Sequence, residues 1–317
     1  MIAFPSAPGV ASALRSRRSA KAPGLFVKGL LVASVAVTLA ALAALVLTML
    51  LDSREVLGNR LGYFLSHGFS QTGAANSGVW QGILGSIQIA LIVSLVAFPV
   101  GVSAAVYLSE YARNTRLTRS IEVNIRNLAA VPSIVYGLLG LALFVQVLGD
   151  SGKGGLTGGR SVLSAGLTLS ALVLPIVVIT ATEAIRAVPG SLREASYGLG
   201  ATKWETVRTH VLPAALPGIL TGTVLALARA IGEAAPLLVV GAVTSFFATG
   251  SAGVVEQLQG PFTALPMNIF SFARQSGSDW ASNAAAASIV LLVLVLAVNA
   301  AAIVLRDRVE RRSRGDL

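Results

Sequence analysis

Arg193-Glu194-Ala195-Ser196-Tyr197-Gly198-Leu199-Gly200 opens a polar loop that closes on Leu212-Pro213. Pro217 to Val240 follows at once, an apolar run with one Arg and one Glu in its interior. Of the 317 residues, 54% are hydrophobic and 12% charged, against about 25% charged in soluble domains. The excess is gathered in runs long enough to cross a bilayer, which needs about 20 residues as helix. A polar loop joined directly to such a run therefore reads as the edge of a membrane helix, and the chain as an integral membrane protein.

Working outward, six spans are predicted: Gly29–Leu51, Gly82–Leu108, Asn127–Leu148, Val162–Ile185, Pro217–Val240 and Ala284–Leu305. Pro99, Pro132, Pro175 and Pro236 fall within or at the ends of spans, where kinks are tolerated. The expectation is an all-α, polytopic fold in which residues 29–305 form the membrane domain. Basic tails flank it at 1–28, read as flexible, and at 306–317. The first span also invites reading as a cleaved signal peptide. It is long for that role and no clear A-x-A site follows it, so a retained helix is expected. No repeat of fixed period is apparent.

The net charge of +10 raises the question of nucleic acid. The basic residues are instead sorted by loop. With the N-terminus inside, inner segments hold 18 Lys or Arg and outer segments five, Arg229 being the remaining one. That is a positive-inside bias, which puts both termini and the loop at 186–216 in the cytoplasm. No nucleic-acid partner is expected. With no cysteine, disulfides and thiolate metal sites are excluded; no metal or catalytic site is expected. No Walker A sequence occurs: around Gly152-Lys153, Val147 stands where the first Gly belongs and Gly154 where Ser or Thr belongs. Any ATP would be bound by another chain.

In the loop, Pro189-Gly190-Ser191 breaks the fourth span and offers Ser191 as an N-cap. Leu192 to Leu199 reads as a short helix, with Gly198 and Gly200 suited to a sharp exit. Ala201 to Val211 reads as a second helix stopped by Leu212-Pro213, with Trp204 at the interface. A plain connecting loop is the simpler reading. Glu194-Ala195-Ser196, Gly200 and Leu212-Pro213, however, resemble the EAA motif of ABC importer permeases, E-A-A-x3-G-x9-I-x-L-P. Ser196 replaces the second Ala and His210 the usual Ile or Val. His210 either weakens the packing of the loop or points to solvent. The resemblance implies a type I ABC importer permease (MetI-like) fold. It also implies that Glu194, Ala195, Gly200, Leu212 and Pro213 couple this chain to a cytoplasmic ATPase.

In the apolar run, Gly218, Gly222, Ala226, Ala230 and Ala234 make a stripe of small residues that permits close helix packing. It reads equally as ordinary bundle packing and as a seam along a translocation path. Counted from Pro217, Arg229 falls about 18 Å along the helix, near mid-bilayer. Each ion there costs about 2.5–3.5 kcal/mol. Glu233, one turn on, shares its face and is expected to pair with it. The pair reads either as a lock between helices or as a substrate site, since an Arg fork suits a phosphate-like oxyanion.

Ala228-Arg229-Ala230-Ile231-Gly232-Glu233-Ala234-Ala235-Pro236-Leu237-Leu238 resembles the fifth span of PstA-type permeases of phosphate-specific ABC importers. Similar stretches are Gly260-Pro261-Phe262-Thr263-Ala264-Leu265-Pro266, Asn127 to Gly137, and Tyr107-Leu108-Ser109-Glu110-Tyr111. The resemblance covers about residues 80–305. It implies a subunit that moves inorganic phosphate inward past Arg229 and Glu233. The implied partners are a PstC-like second permease, two ATPase subunits carrying ATP and Mg, an extracytoplasmic phosphate-binding protein and membrane lipid. The chain itself would hold no cofactor. Import of another oxyanion, such as sulfate, molybdate or phosphonate, and a complex serving mainly phosphate sensing are the alternatives. An ion-driven secondary transporter is disfavoured by the loop. Tyr107, Tyr111 and Tyr136 read as interface anchors. Phe246, Phe247, Phe262, Phe270 and Phe272 make the outer loop apolar, which reads as a re-entrant element, a lid or a partner-facing surface.

Overall fold

Apolar runs separated by Pro, Gly and polar turns leave helices as the means of satisfying backbone groups in lipid, and helix is what forms. The computed structural model describes residues 21–70, 72–149, 155–243 and 257–315, and no strand occurs among them. Residues 1–20 of the tail, Lys153, Phe246 and Phe247 lie outside the described residues.

The chain divides into two units at Leu51/Asp52. The described residues of the first unit belong to the long helix α1, Lys21–Asn59. It starts inside the stretch expected to be a tail and is longer than the span predicted for it. Its apolar side chains, among them Leu30, Val37, Leu42 and Leu47, are exposed on every face. A helix hydrophobic all round, without a covering core, is a membrane span.

In the second unit, α2 is Leu61–Ser66 and α3 is Trp80–Val106, continued by a π-helical turn at Tyr107–Tyr111. Next come α4, Arg116–Ala129, and α5, Ser133–Gly140, the latter extended by a π segment to Val147. Then follow α6, Val162–Arg186, α7, Gly190–Gly198, α8, Lys203–Thr206, and α9, Leu212–Gly232. The last are α10, Ala235–Val240, α11, Leu265–Ala273, and α12, Ser278–Gly315. Among the described residues five helices are long and apolar enough to cross a membrane, and the bent pair α4–α5 makes a sixth candidate.

The core sits between α3, α6 and α9. Ile89, Ile92 and Val93 interlock with Leu169, Leu172, Val173 and Val177, and Ala226 and Ala230 close it from α9. Pro99 and Pro175 lie inside α3 and α6 without ending either helix. A second cluster ties α11 and α12 to α2: the rings of Phe64, Phe69, Phe272 and Trp280 lie 5.4–6.3 Å apart. Phe272 is fully buried there and Phe262 in the main core. They act as internal anchors, and Phe270 is the exposed one at 37%.

Two predicted spans differ in shape. Asn127–Leu148 is broken: α4 and the helix from Ser133 to Val147 meet at a bend of 101°. Pro132 lacks an N–H and biases Val131 away from helical geometry. The last turn of α4 instead closes on itself, Val131 N–H donating to Leu128 O at 3.1 Å. Pro217–Val240 starts too late and runs too far. The helix is continuous from Lys203 to Gly232, 30 residues, and α10 is a separate piece. Leu212-Pro213 does not stop it, because a π turn at Val207–Val211 shifts the bonding register just where Pro213 would obstruct it. Likewise α12 runs to Gly315, through most of the segment expected to be a C-terminal tail.

Candidate functional site

At one end of the 30-residue rod, α7 and α8 form a tight polar hairpin. Pro189, not Ser191, is the N-cap of α7, and no side chain caps it. The exit is tightly defined. Gly200 has φ +87°, its N–H donates to Tyr197 O at 2.9 Å, and Ala201 N–H reaches back to Ser196 O at 3.2 Å. This is a Schellman ending, whose left-handed position favours Gly. A Cβ on Gly200 would touch nothing within 4 Å, so the demand there is purely conformational. Gly198 keeps ordinary helical backbone and plays no such part.

The next turn is fixed by a capping box. Thr202 Oγ1 accepts from Glu205 N–H, and the Glu205 carboxylate accepts from Thr202 N–H at 2.7 Å. Between the two arms, Ser196 Oγ and Thr206 Oγ1 bond at 2.8 Å, 4% and 0% exposed. The serine that departs from the family pattern thus has a partner of its own. His210 is exposed, while Val207 and Val211 take the buried positions. Leu212 packs with Ala105, Ile185, Val188 and Ile219, and Pro213 follows it at the start of α9. Glu194 and Ala195 face solvent. So do Leu199, 91% exposed at the tip, and Trp204. The turn thus presents an apolar knob beside a carboxylate to solvent.

The hairpin is bolted to the helix ends beneath it. Arg193 Nε and Nη2 donate to Glu110 Oε1 at 3.1 and 2.7 Å. The same guanidinium also donates to Val188 O and Ile185 O at 2.8 and 3.0 Å. It therefore caps the carbonyl end of α6 while pairing with the π turn that continues α3. Lys203 Nζ lies 5.2 Å over the Tyr111 ring. Arg193, Glu110 and Thr206 were not found from the sequence; the signal for the ion pair spans 83 residues and has no local period.

At the rod's other end, α9 stops at Gly232 and Glu233 leaves the helix with φ −81° and ψ 122°. Arg229 therefore occupies the last turn, not the middle, of a rod about 45 Å long at 1.5 Å per residue. The expected pair does form: Arg229 Nε donates to Glu233 Oε1 at 3.3 Å, with the side chains 46% and 20% exposed. The break that follows, bridged by Ala234 before α10 begins with Pro236, leaves irregular backbone beside two ions. Lipid permits that only where protein or a water-filled cavity covers it. Tyr136, an expected interface anchor, is instead buried at 7%; its hydroxyl donates to Leu128 O at 2.9 Å and it is an electrostatic neighbour of Arg229. Tyr107 and Tyr111 are exposed.

Along α9, one side of the small-residue stripe packs and the other opens. Gly222 lies so close to α6 that a Cβ would collide with the Thr180 side chain. Gly222, Ala226 and Ala230 are buried, Ala234 is half-buried, and Gly218, Thr221, Leu225 and Arg229 lie on an exposed side. Beside that side is a cleft of about 500 Å³ between α6, α9 and α12, whose polar groups are Thr180, Glu183, Thr221, Asn299 and Arg306. Asn299 Oδ1 is buried there without a partner. The packed seam and the cleft thus lie on two sides of one helix, and the polar groups from α6 and α12 were not singled out from the sequence. Among the described residues no group of His, Asp and Glu has the arrangement to hold a metal ion.

Residues 97–315 match the family model described as binding-protein-dependent transport system inner membrane component. The phosphate transport system permease protein PstA 1 of Mycobacterium tuberculosis is 33% identical over 237 residues, 75% of this chain and 72% of its own length. The phosphate transport system permease protein PstA of Xylella fastidiosa is 35% identical, covering 73% of this chain and 76% of its own. The probable ABC transporter permease protein YqgI of Bacillus subtilis is 38% identical over 172 residues, and the chain spans only about half, 56%, of its length. Among solved structures, a bacterial ABC transporter involved in alginate import superimposes with TM-score 0.62 at 16% identity, over 93% of this chain and 99% of that one. The inward-facing MetNI methionine ABC transporter gives 0.55 at 20% identity, over 73% and 94%. These likenesses place the fold among MetI-like importer permeases. The chain belongs to the inner-membrane component family of binding-protein-dependent transport systems, among its PstA-type ABC importer permeases.

Proposed function

We propose that this chain is a membrane subunit through which an ABC importer moves inorganic phosphate into the cytoplasm. The observation that carries the reading is the unbroken helix from Lys203 to Gly232, which joins the α7–α8 turn to the Arg229–Glu233 break. The positive-inside bias assigns both termini and the α7–α8 turn to the cytoplasmic side. There the exposed Glu194, Ala195 and Leu199 would seat in an ATPase subunit, one of two, and the ATPases would supply ATP and Mg chemistry. A second, PstC-like permease completes the path, and an extracytoplasmic binding protein delivers phosphate.

In the proposed cycle ATP binding draws the ATPases together. The hairpin is locked by Gly200 and by the Ser196–Thr206 bond, so it moves as a body and carries α9 with it. At the far end Arg229 offers its fork to the anion. Glu233 compensates the guanidinium when no anion is present and competes with the anion for it, which favours release. Hydrolysis resets the helices to face inward. PstA permeases at 33–35% identity support phosphate as the anion.

The test is uptake of labelled phosphate at micromolar concentration, in cells lacking this chain and any second phosphate system. Rescue is attempted with wild type and with Arg229→Gln, and sulfate and molybdate serve as competitors. Rescue by wild type alone, indifferent to the competitors, is expected. Inhibition by sulfate or molybdate reassigns the anion. Equal rescue by Arg229→Gln reduces the pair to packing, and normal phosphate uptake in the deletion removes phosphate altogether.

A further inference from the structure

A second polar site lies at the α7 end of the bundle, apart from the rod. The π turn that continues α3, the connector to α4, the start of α4 and the end of α6 line a half-open cavity of about 390 Å³, within the range of roughly 300–1,000 Å³ typical of small-ligand sites. Its walls are polar: Ser109, Arg113, Asn114, Thr118, Arg119 and Arg186 contribute. One carboxylate, Glu122, also reaches it, but Arg186 already holds that group at 2.6 Å. Among the described residues Arg113 and Arg119 have no carboxylate partner. Ser109 Oγ is buried with no hydrogen-bond partner, which leaves it open to a ligand's oxygen. The cavity also adjoins the N-terminus of the 14-residue α4, capped by Thr115, whose dipole adds positive potential.

Two free guanidinium groups, an unpaired hydroxyl and an amide converging on one polar space match the oxygens of a phosphate group. We propose that this cavity binds such a group, from an anionic phospholipid headgroup or from free inorganic phosphate. Its place gives occupancy a consequence, which rests on the function proposed above. Ser109 precedes Glu110, and Glu110 holds Arg193 of α7 at 2.7 Å. A phosphate bonded to Ser109 pulls on the π turn Tyr107–Tyr111 and so biases the hairpin that meets the ATPase. The site then reports the headgroup composition of the leaflet, or the phosphate level on the side to which phosphate is delivered.

The experiment uses the whole importer, purified with its partner subunits in nanodiscs. In one arm the discs are phosphatidylcholine with phosphatidylglycerol, and native mass spectrometry counts retained phosphatidylglycerol. In the other the discs are phosphatidylcholine alone, and equilibrium binding of radiolabelled inorganic phosphate is read in an Arg229→Gln background that silences the translocation path. Arg113→Gln with Arg119→Gln is expected to weaken binding at least about tenfold in one arm, as loss of charge-assisted bonds implies. Which arm responds identifies the source, and a response in both means that the cavity accepts either.

Ser109→Ala is expected to weaken the same binding about two- to tenfold, as loss of one hydroxyl bond implies, without lowering the melting temperature. It deletes a group that is unpaired when the cavity is empty. Wild-type binding that neither set of changes alters, or no binding in either arm, overturns the proposal. Transport by a complex that retains neither probe here defeats this inference alone. Retention here by a complex that moves no phosphate defeats the transport reading alone.

Discussion

The two ends of the Lys203–Gly232 rod are built on opposite principles. At the α7–α8 end nearly every polar group has a short partner: a Schellman turn at Gly200, a capping box at Thr202 and Glu205, a buried Ser196–Thr206 bond, and Arg193 spread over Glu110 and two carbonyls. At the Glu233 end the helix simply stops, and two partly exposed ions share one contact of 3.3 Å. A lever must not deform where it is pushed, and a site that binds and releases must not be over-bonded. On the function proposed above, the difference suits force transmission at one end and exchange of partners at the other.

The sharpest way to break that division is at the lever. Gly200→Val puts a β-branched residue at φ +87°, where an L-residue costs about 1–2 kcal/mol and a branched one more. The space around it is open, so the chain still folds and inserts, but the turn relaxes to another angle. Transport is expected to be abolished with normal membrane levels of the protein, as read by uptake and immunoblot. Normal transport with normal ATPase binding would mean that the turn transmits nothing. Next in size is the exchange end. Arg229→Gln is expected to lower uptake about 10- to 100-fold, the equivalent of a charge-assisted bond of roughly 1.5–3 kcal/mol, with assembly kept. Arg229→Lys, which retains charge without the fork, separates bidentate binding from simple attraction.

How far these two ends were legible follows from the same contrast. The spans and the loop were readable because hydropathy and the Glu194–Pro213 spacing are local properties of the chain. Gly200 was readable because a left-handed turn needs Gly whatever surrounds it. The breaks were not. Pro132 splits a span that hydropathy reads as continuous, whereas Pro99, Pro175 and Pro217 sit inside helices. The outcome depends on what packs around each proline and on π turns that absorb the offset. The Arg229–Glu233 pair was anticipated from i,i+4 spacing, yet Glu233 reaches it from outside the helix. Arg193–Glu110, Thr206 and the cleft group Asn299 and Arg306 depend on tertiary proximity, which no local pattern encodes.

Of intermediate size is the bond inside the lever. Ser196→Ala leaves the buried Thr206 hydroxyl unpaired, at a cost of about 1–3 kcal/mol, as does Thr206→Val for Ser196. The double variant removes both polar groups and is expected to recover most of that loss. Melting of the purified complex gives the cycle. Additive losses would show that the two hydroxyls contribute independently, and the hairpin would then owe its rigidity to the turn at Gly200 and the capping box alone.

The smallest effect is the most informative about the exchange end. The Arg229–Glu233 pair is partly exposed and contributes at most about 1 kcal/mol, or roughly fivefold in an equilibrium. Glu233→Gln removes the competitor while keeping the side chain's shape. If Glu233 helps to expel the anion, uptake should show a lower KM together with a lower maximal rate, each by up to about fivefold, because binding tightens and release slows. A merely structural pair gives a different signature: both parameters stay put while the melting temperature falls. That split separates a carboxylate that trades places with phosphate from one that only holds the end of α9 in position.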